Sequence, residues 1–121
     1  MKAVFAAVMS FLVWLQGAAV NLPTVNPLEI GSCQWATMEA HSIQDFDLTL
    51  EGGEQKTITI HLKDGMGLEL YVYGDDGELI GSDTESQDAL TVVVPAGTVG
   101  WITVLVINTS GESVSMTICV D

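Results

Sequence analysis

From Gly67 to Ser82 the chain carries a pattern that few folds other than a β-sheet accommodate. Leu68, Leu70 and Val72 alternate with Glu69, Tyr71 and Tyr73, the period of a strand with one buried face, and the run ends at Gly74-Asp75-Asp76-Gly77 before Glu78-Leu79-Ile80. Glycine and aspartate tolerate turn conformations that other residues resist, so the stretch reads as a β-hairpin. The pattern recurs. Phe46, Leu48 and Leu50 face one way and stop at Gly52-Gly53; Ile58, Ile60 and Leu62 stop at Lys63-Asp64-Gly65; Leu90, Val92 and Val94 stop at Pro95-Ala96-Gly97. Val114, Met116, Ile118 and Val120 form the last one-faced strand, and Cys33 to Met38 reads as a short edge strand with Cys33 and Trp35 on one side. Trp101 to Ile107 is apolar at every position but Thr103 and Asn108 follows it, which predicts a strand covered on both faces. Only residues 33 to 42 leave room for a helical turn. About seven to eight short strands with turn signals between them predict an all-β protein, an antiparallel β-sandwich of jelly-roll type.

The first residues belong to a different regime. Met1-Lys2 opens the chain, Ala3 to Leu15 is apolar apart from Ser10, and Gly17-Ala18-Ala19 supplies small residues, the order of a secretory signal peptide. The apolar run is shorter than the roughly 20 residues a bilayer span requires. Residues 1–19 are therefore expected to be an export signal, residues 20–32, with Pro23 and Pro27, a leader or linker, and residues 33–121 a single domain. The product is expected to be secreted, extracellular or periplasmic, and monomeric.

Removal of residues 1–19 takes away Lys2 and no acid, leaving two lysines against sixteen acids, a formal charge of −14. The chain has no arginine. Such a surface repels phosphate backbones and anionic lipid, which makes nucleic acid and membranes poor candidate partners and leaves cationic partners and metal ions. Solubility or adaptation to a saline medium accounts for the acidity without any partner.

Cys33 near the start and Cys119 near the end of the exported part predict a disulfide that ties the two ends together, in a compartment where oxidation is favoured. On the chain-entropy model a loop of this size stabilises by about 4 to 5 kcal/mol. Cys119 alternates with the core-facing residues of its strand, which places the bridge on an outer face or edge. Ile30-Gly31-Ser32-Cys33 also has the look of a lipobox, but Pro23, Pro27 and Glu29 separate it from the apolar run that a lipobox must follow.

Residues 44–120 resemble the bacterial pre-peptidase C-terminal domain. The resemblance is carried by Phe46 to Gly53, Thr57 to Ile60, Leu68 to Tyr73 with Asp75 to Ile80, Leu90 to Gly97, and Ile102 to Asn108. It implies a secreted sandwich that accompanies exported proteases and other hydrolases as an accessory module, and some such domains bind calcium. This chain departs from the pattern in having Gly100-Trp101 where the family opens a strand with a Gly-Thr-Tyr-like segment, and, with residues 1–19 expected to be an export signal, no protease is expected upstream.

For chemistry, Asp75, Asp76, Glu78 and Asp83, followed by Glu85 and Asp88, crowd one part of the sequence with the hard oxygen ligands Ca²⁺ prefers. An EF-hand spacing is absent, because Gly77 and Leu79 stand where its next oxygens belong. A Ca²⁺ site and a solvated acidic loop are both open readings. His61 falls on the polar side of its strand and His41 has no partner in sequence, no Cys-x-x-Cys pair exists for zinc, and Gly111-Glu112-Ser113-Val114-Ser115 fails the Gly-x-Ser-x-Gly elbow at its last position. No enzyme is expected. Asn108-Thr109-Ser110 is a glycosylation sequon. Tyr71, Tyr73 and Trp101 are the remaining candidates for function: Tyr71 and Tyr73 point away from the core-facing residues of their strand, where they either form a binding surface for a protein or polysaccharide or pack under a loop or the Cys33 segment. The function expected is a secreted, non-catalytic binding or accessory module; a structural exoprotein without a specific ligand is the alternative.

Overall fold

The structure is a computed structural model that describes residues 26–62, 67–85 and 89–121. The expected export signal, the Lys63-Asp64-Gly65 turn and Asp88 lie outside the described residues. Eight strands follow in order: β1 (Ser32–Met38), β2 (Ile43–Glu51), β3 (Lys56–Leu62), β4 (Leu68–Tyr73), β5 (Leu79–Asp83), β6 (Ala89–Val94), β7 (Val99–Asn108) and β8 (Val114–Val120). They build two four-stranded antiparallel sheets, β2-β7-β4-β5 (sheet A) and β1-β8-β3-β6 (sheet B). The expected β-sandwich is the observed fold.

The alternation read in the sequence is the alternation of burial. Phe46, Leu48 and Leu50 of β2, Leu68, Leu70 and Val72 of β4, and Ile102, Val104 and Val106 of β7 meet Ile58, Ile60, Leu90, Val92, Val94, Met116 and Ile118 of sheet B in one core. Each fully buried aliphatic side chain there contributes about 1.5 to 3 kcal/mol relative to leaving it in water. The sheets close along one side by contact of their edge strands β5 and β6. Gly81 makes this approach feasible, since a methyl group there would lie 2.9 Å from Val92 Cγ1. Asp83 reinforces the same seam: its Oδ2 accepts from Thr91 N at 3.0 Å, joining sheet A to sheet B.

Two expectations change. The stretch assigned to a leader is attached from Asn26 onward, where Asp47 N donates to Asn26 O and Leu28 N donates to Asp47 O, a short parallel addition to the edge of β2. Leu28 then enters the core, and Gln34 Nε2 of β1 donates to Pro27 O, so this segment is packed before it crosses to sheet B. Second, β7 is covered on one face only. Its inward residues are buried, while Trp101 is 55% exposed and Thr103, Leu105 and Ile107 are half-buried on the outer face.

Cys33 and Cys119 stand opposite each other in the β1–β8 register and form a disulfide across the outer face of sheet B. A bridged Cys33 is the expected outcome, and it leaves no thiol for the lipobox reading. The opposite end of β1 is held by a buried polar residue. Asn108 is fully buried; its Nδ2 donates to the backbone oxygens of Met38, Glu39 and Glu112, and its Oδ1 accepts from Ser110 N and Ser110 Oγ. The sequon at Asn108 is thus closed in the folded protein, because the amide that would carry a glycan is enclosed and engaged.

Candidate functional site

The antiparallel registers of sheet A set out a grid of outward side chains. One row runs Asp47, Thr103, Tyr73 and Leu79; the next runs Asp45, Leu105, Tyr71 and Ser82. Thr49 and Trp101 lie beyond the first row, and Ile43, Ile107 and Glu69 beyond the second. Alternation explains why these residues share a face, and the apolar outer positions of β7 explain why the face is not simply polar. Tyr71 and Tyr73 are half-buried by their strand neighbours, whereas Trp101, Leu79 and Ile43 are more than half exposed. The Cys33 segment, one of the covers expected for the tyrosines, lies on the other sheet.

Polar contacts fix the two largest rings. Trp101 Nε1 donates to Asp47 Oδ1 at 3.0 Å, and Tyr71 Oη donates to Glu69 Oε1 at 2.8 Å. The second bond, with the negative charge of Glu69, holds the Tyr71 phenol above the usual tyrosine range. Asp45, although its surface is exposed, is crowded enough by its neighbours that desolvation raises its carboxyl above the usual aspartate range, and the adjacent Asp47 carboxylate adds to the rise.

The face continues at one end of the sandwich into an open cleft of about 520 Å³, walled by the β4–β5 turn with Leu79 and Ile80, and by Pro95, Thr98 and Val99. In that turn Gly77 is the residue that adopts positive φ, and Asp76 Oδ1 accepts from Glu78 N. The turn rests on the start of β7 at Gly100, whose φ of 114° and lack of a side chain admit the Asp75 carboxylate; a methyl there would sit 2.9 Å from Asp75 Oδ2. Thr98 Oγ1 donates to Pro95 O, and Gly97 N donates to Gly53 O, which ties the second wall to the β2–β3 turn.

The acidic set expected for Ca²⁺ is not brought together. Asp75, Asp76 and Glu78 occupy the turn before β5, whereas Asp83 is in register with Leu70 at the far end of β5, about 13 Å along a strand of this rise. Asp83 accepts there from Thr91 N and Glu85 N. Among the described residues no three His, Cys, Asp or Glu side chains converge as metal ligands would. His41 lies in the β1–β2 turn with φ 56°, and His61 is exposed on the outer face of sheet B.

Sequence reasoning singles out Tyr71, Tyr73 and Trp101 but not Leu105, Ile107 and Leu79 as members of the same face. The signal lies in the doubly apolar β7, a pattern that predicts a strand covered on both faces and here marks one cover and an apolar exterior. The outer face of sheet B is different in kind: Thr117, Thr59, Thr91 and Thr57 surround the disulfide, with Trp35, 70% exposed, opposite Thr117.

No family model and no curated protein matches the sequence. Among solved structures, the pre-peptidase C-terminal domain of a Bacillus anthracis collagenase superposes with a TM-score of 0.72 over 85% of this chain and 100% of that chain, at 7% identity. PliG of Aeromonas hydrophila, a periplasmic inhibitor of g-type lysozyme, has a TM-score of 0.55 at 16% identity over 81% of this chain and 96% of its own. PliG of Salmonella Typhimurium, also a periplasmic lysozyme inhibitor, has 0.50 at 13% identity over 80% and 98%. The fold is therefore that of the pre-peptidase C-terminal domain, as the resemblance of residues 44–120 implied.

Proposed function

We propose that this chain, which shares the fold of pre-peptidase C-terminal domains, is an exported non-catalytic binding module that recognises an extracellular or periplasmic partner through the outer face of sheet A. The observation that carries the reading is the grid of Tyr71, Tyr73, Trp101, Leu105 and Ile107 on a sheet face turned away from the core, with Trp101 more than half exposed. Rigid aromatics on a flat sheet suit recognition, because they offer large contact area with little conformational entropy to lose. The disulfide suits an exported protein. Neighbours of the same fold whose names describe lysozyme inhibition make a protein partner the first choice. The proposal does not route through Ca²⁺, since the four carboxylates expected to hold it stand at opposite ends of β5.

The test is a binding panel of g-type lysozyme, gelatin and soluble polysaccharides against the purified protein and its Tyr71→Ala and Tyr73→Ala variants. The reading expects at least one member to bind, and expects both variants to weaken it while melting as the parent does to within about 1 kcal/mol. Undiminished binding in both variants moves the site off this face.

A further inference from the structure

The outer face of sheet A has a sign as well as a shape. Asp45, Asp47 and Glu69 are interleaved with Tyr71, Tyr73 and Trp101, and Asp75, Asp76 and Glu78 border the cleft in which the face ends. No positive side chain accompanies them among the described residues. The chain has no arginine, and Lys56 starts β3 in the other sheet, where its Nζ donates to Glu54 O. Asp45 and Asp47 stand two residues apart on this face, and desolvation first, then the Asp47 charge, holds the Asp45 carboxyl above the usual aspartate range. Among the described residues these carboxylates therefore have no cation on the same face to match them.

We propose that this face is the docking surface of a cationic protein, whose lysine and arginine side chains lie across Tyr73 and Trp101 and place their charged ends between the carboxylates. This rests on the reading of the face as the recognition surface. The two features of the face suit such side chains together. Their aliphatic stems pack on apolar surface, a cation is attracted to the face of an aromatic ring, and the head groups find acceptors in Asp47 and Glu69. Asp47 already bonds the Trp101 indole edge, which leaves the ring fixed before a partner arrives. The cleft between Leu79, Ile80, Pro95 and Val99 receives one further stem beside Asp75 and Asp76. A neutral polysaccharide would use the rings and leave the carboxylates unmatched, and an acidic one would be repelled.

The test uses oligolysine and oligoglutamate of equal length as probes, with affinity measured at low and at physiological salt. General attraction to an acidic protein is separated from the face by two double variants that remove equal charge: Asp47→Asn with Glu69→Gln on the face, and Glu29→Gln with Asp121→Asn away from it. Asparagine and glutamine still accept the Trp101 and Tyr71 hydrogen bonds, so the face variant keeps its ring geometry. The proposal expects oligolysine to bind and oligoglutamate not to, the face variant to weaken oligolysine about tenfold, and the distant variant by less than about twofold. Trp101→Ala alone is expected to weaken it as well, with unchanged melting. Equal loss in the two double variants overturns the proposal, since net charge then accounts for binding. Failure of oligolysine to bind the parent overturns it too; if Tyr71→Ala and Tyr73→Ala still weaken a neutral polysaccharide in that case, the recognition face stands and only its cationic partner falls.

Discussion

The indole Nε1 of Trp101 on β7 donates to the Asp47 carboxylate on β2 at 3.0 Å, across the outer face of sheet A. Asp47 is doubly engaged, because its backbone N and O also hold Asn26 and Leu28 at the sheet edge. One residue therefore fixes both the orientation of the most exposed ring on the face and the attachment of the segment that precedes β1. Asp47→Ala is expected to leave the backbone bonds in place and release the ring: the Trp101 indole N–H loses protection in amide and indole hydrogen exchange, while global stability changes by about 1 kcal/mol or less, as befits an exposed hydrogen bond.

Asn108 predicts the opposite balance. Its three donated and two accepted bonds join β1, the β1–β2 turn and the β7–β8 turn at a fully buried position. Asn108→Ala removes the buried amide that links the three segments, although Glu39 O keeps its bonds from Ser42 and Glu112 O its bond from Ser110 Oγ, and is expected to cost about 2 to 3 kcal/mol in urea unfolding. Asn108→Asp is expected to cost more at neutral pH, since a carboxylate cannot donate and would face the oxygens of Met38, Glu39 and Glu112. Acid should narrow the gap between the two variants as the new carboxyl takes up a proton.

The Cys33–Cys119 bridge, with a sequence separation of 86 residues, joins strands that are already neighbours in sheet B. Replacing both cysteines with serine is expected to lower unfolding free energy by about 2 to 5 kcal/mol, with the β1–β8 register retained in the folded fraction. Chemical denaturation of the double variant beside the parent measures it.

Asp45 supplies a pH signature. Crowding and the Asp47 charge raise its folded-state pKa above the unfolded value, so the folded protein binds the proton more readily than the unfolded chain. Its contribution to stability is then fully present below the ordinary aspartate pKa and is lost as pH rises through the elevated one. Asp45→Asn is expected to be more stable than the parent at neutral pH, with the difference vanishing under acid conditions and shrinking in high salt, read from denaturant midpoints across pH.

Most of the fold was legible because burial on one face prints itself as period-two alternation: Phe46-Asp47-Leu48, Leu68-Glu69-Leu70 and Val114-Ser115-Met116 each name their core side directly. The outward placement of Cys119, Tyr71 and Tyr73 followed from the same rule. The remainder was hidden for three physical reasons. Trp101 to Ile107 is apolar on both faces, and sequence alone cannot separate a strand with two covers from a strand with one cover and a sticky exterior. The acidic residues from Asp75 to Asp83 are close in sequence, yet five extended residues of β5 carry Asp83 away to pair with Leu70 and to bond Thr91. Asn108 looked like a turn residue in a sequon, whereas its burial depends on three backbone carbonyls contributed by segments up to 70 residues distant.

On the proposal made above, the outer face of sheet A, and not that of sheet B, meets the partner. Backbone amide chemical-shift mapping with bound oligolysine tests it most directly, because each sheet carries one exposed tryptophan as a landmark, Trp101 on sheet A and Trp35 on sheet B. Shifts are expected to concentrate on β2, β4, β7 and the turn from Gly74 to Glu78, with the Trp101 indole N–H among the largest. Shifts centred on Trp35, Thr117 and His61, with Trp101 unmoved, would contradict it.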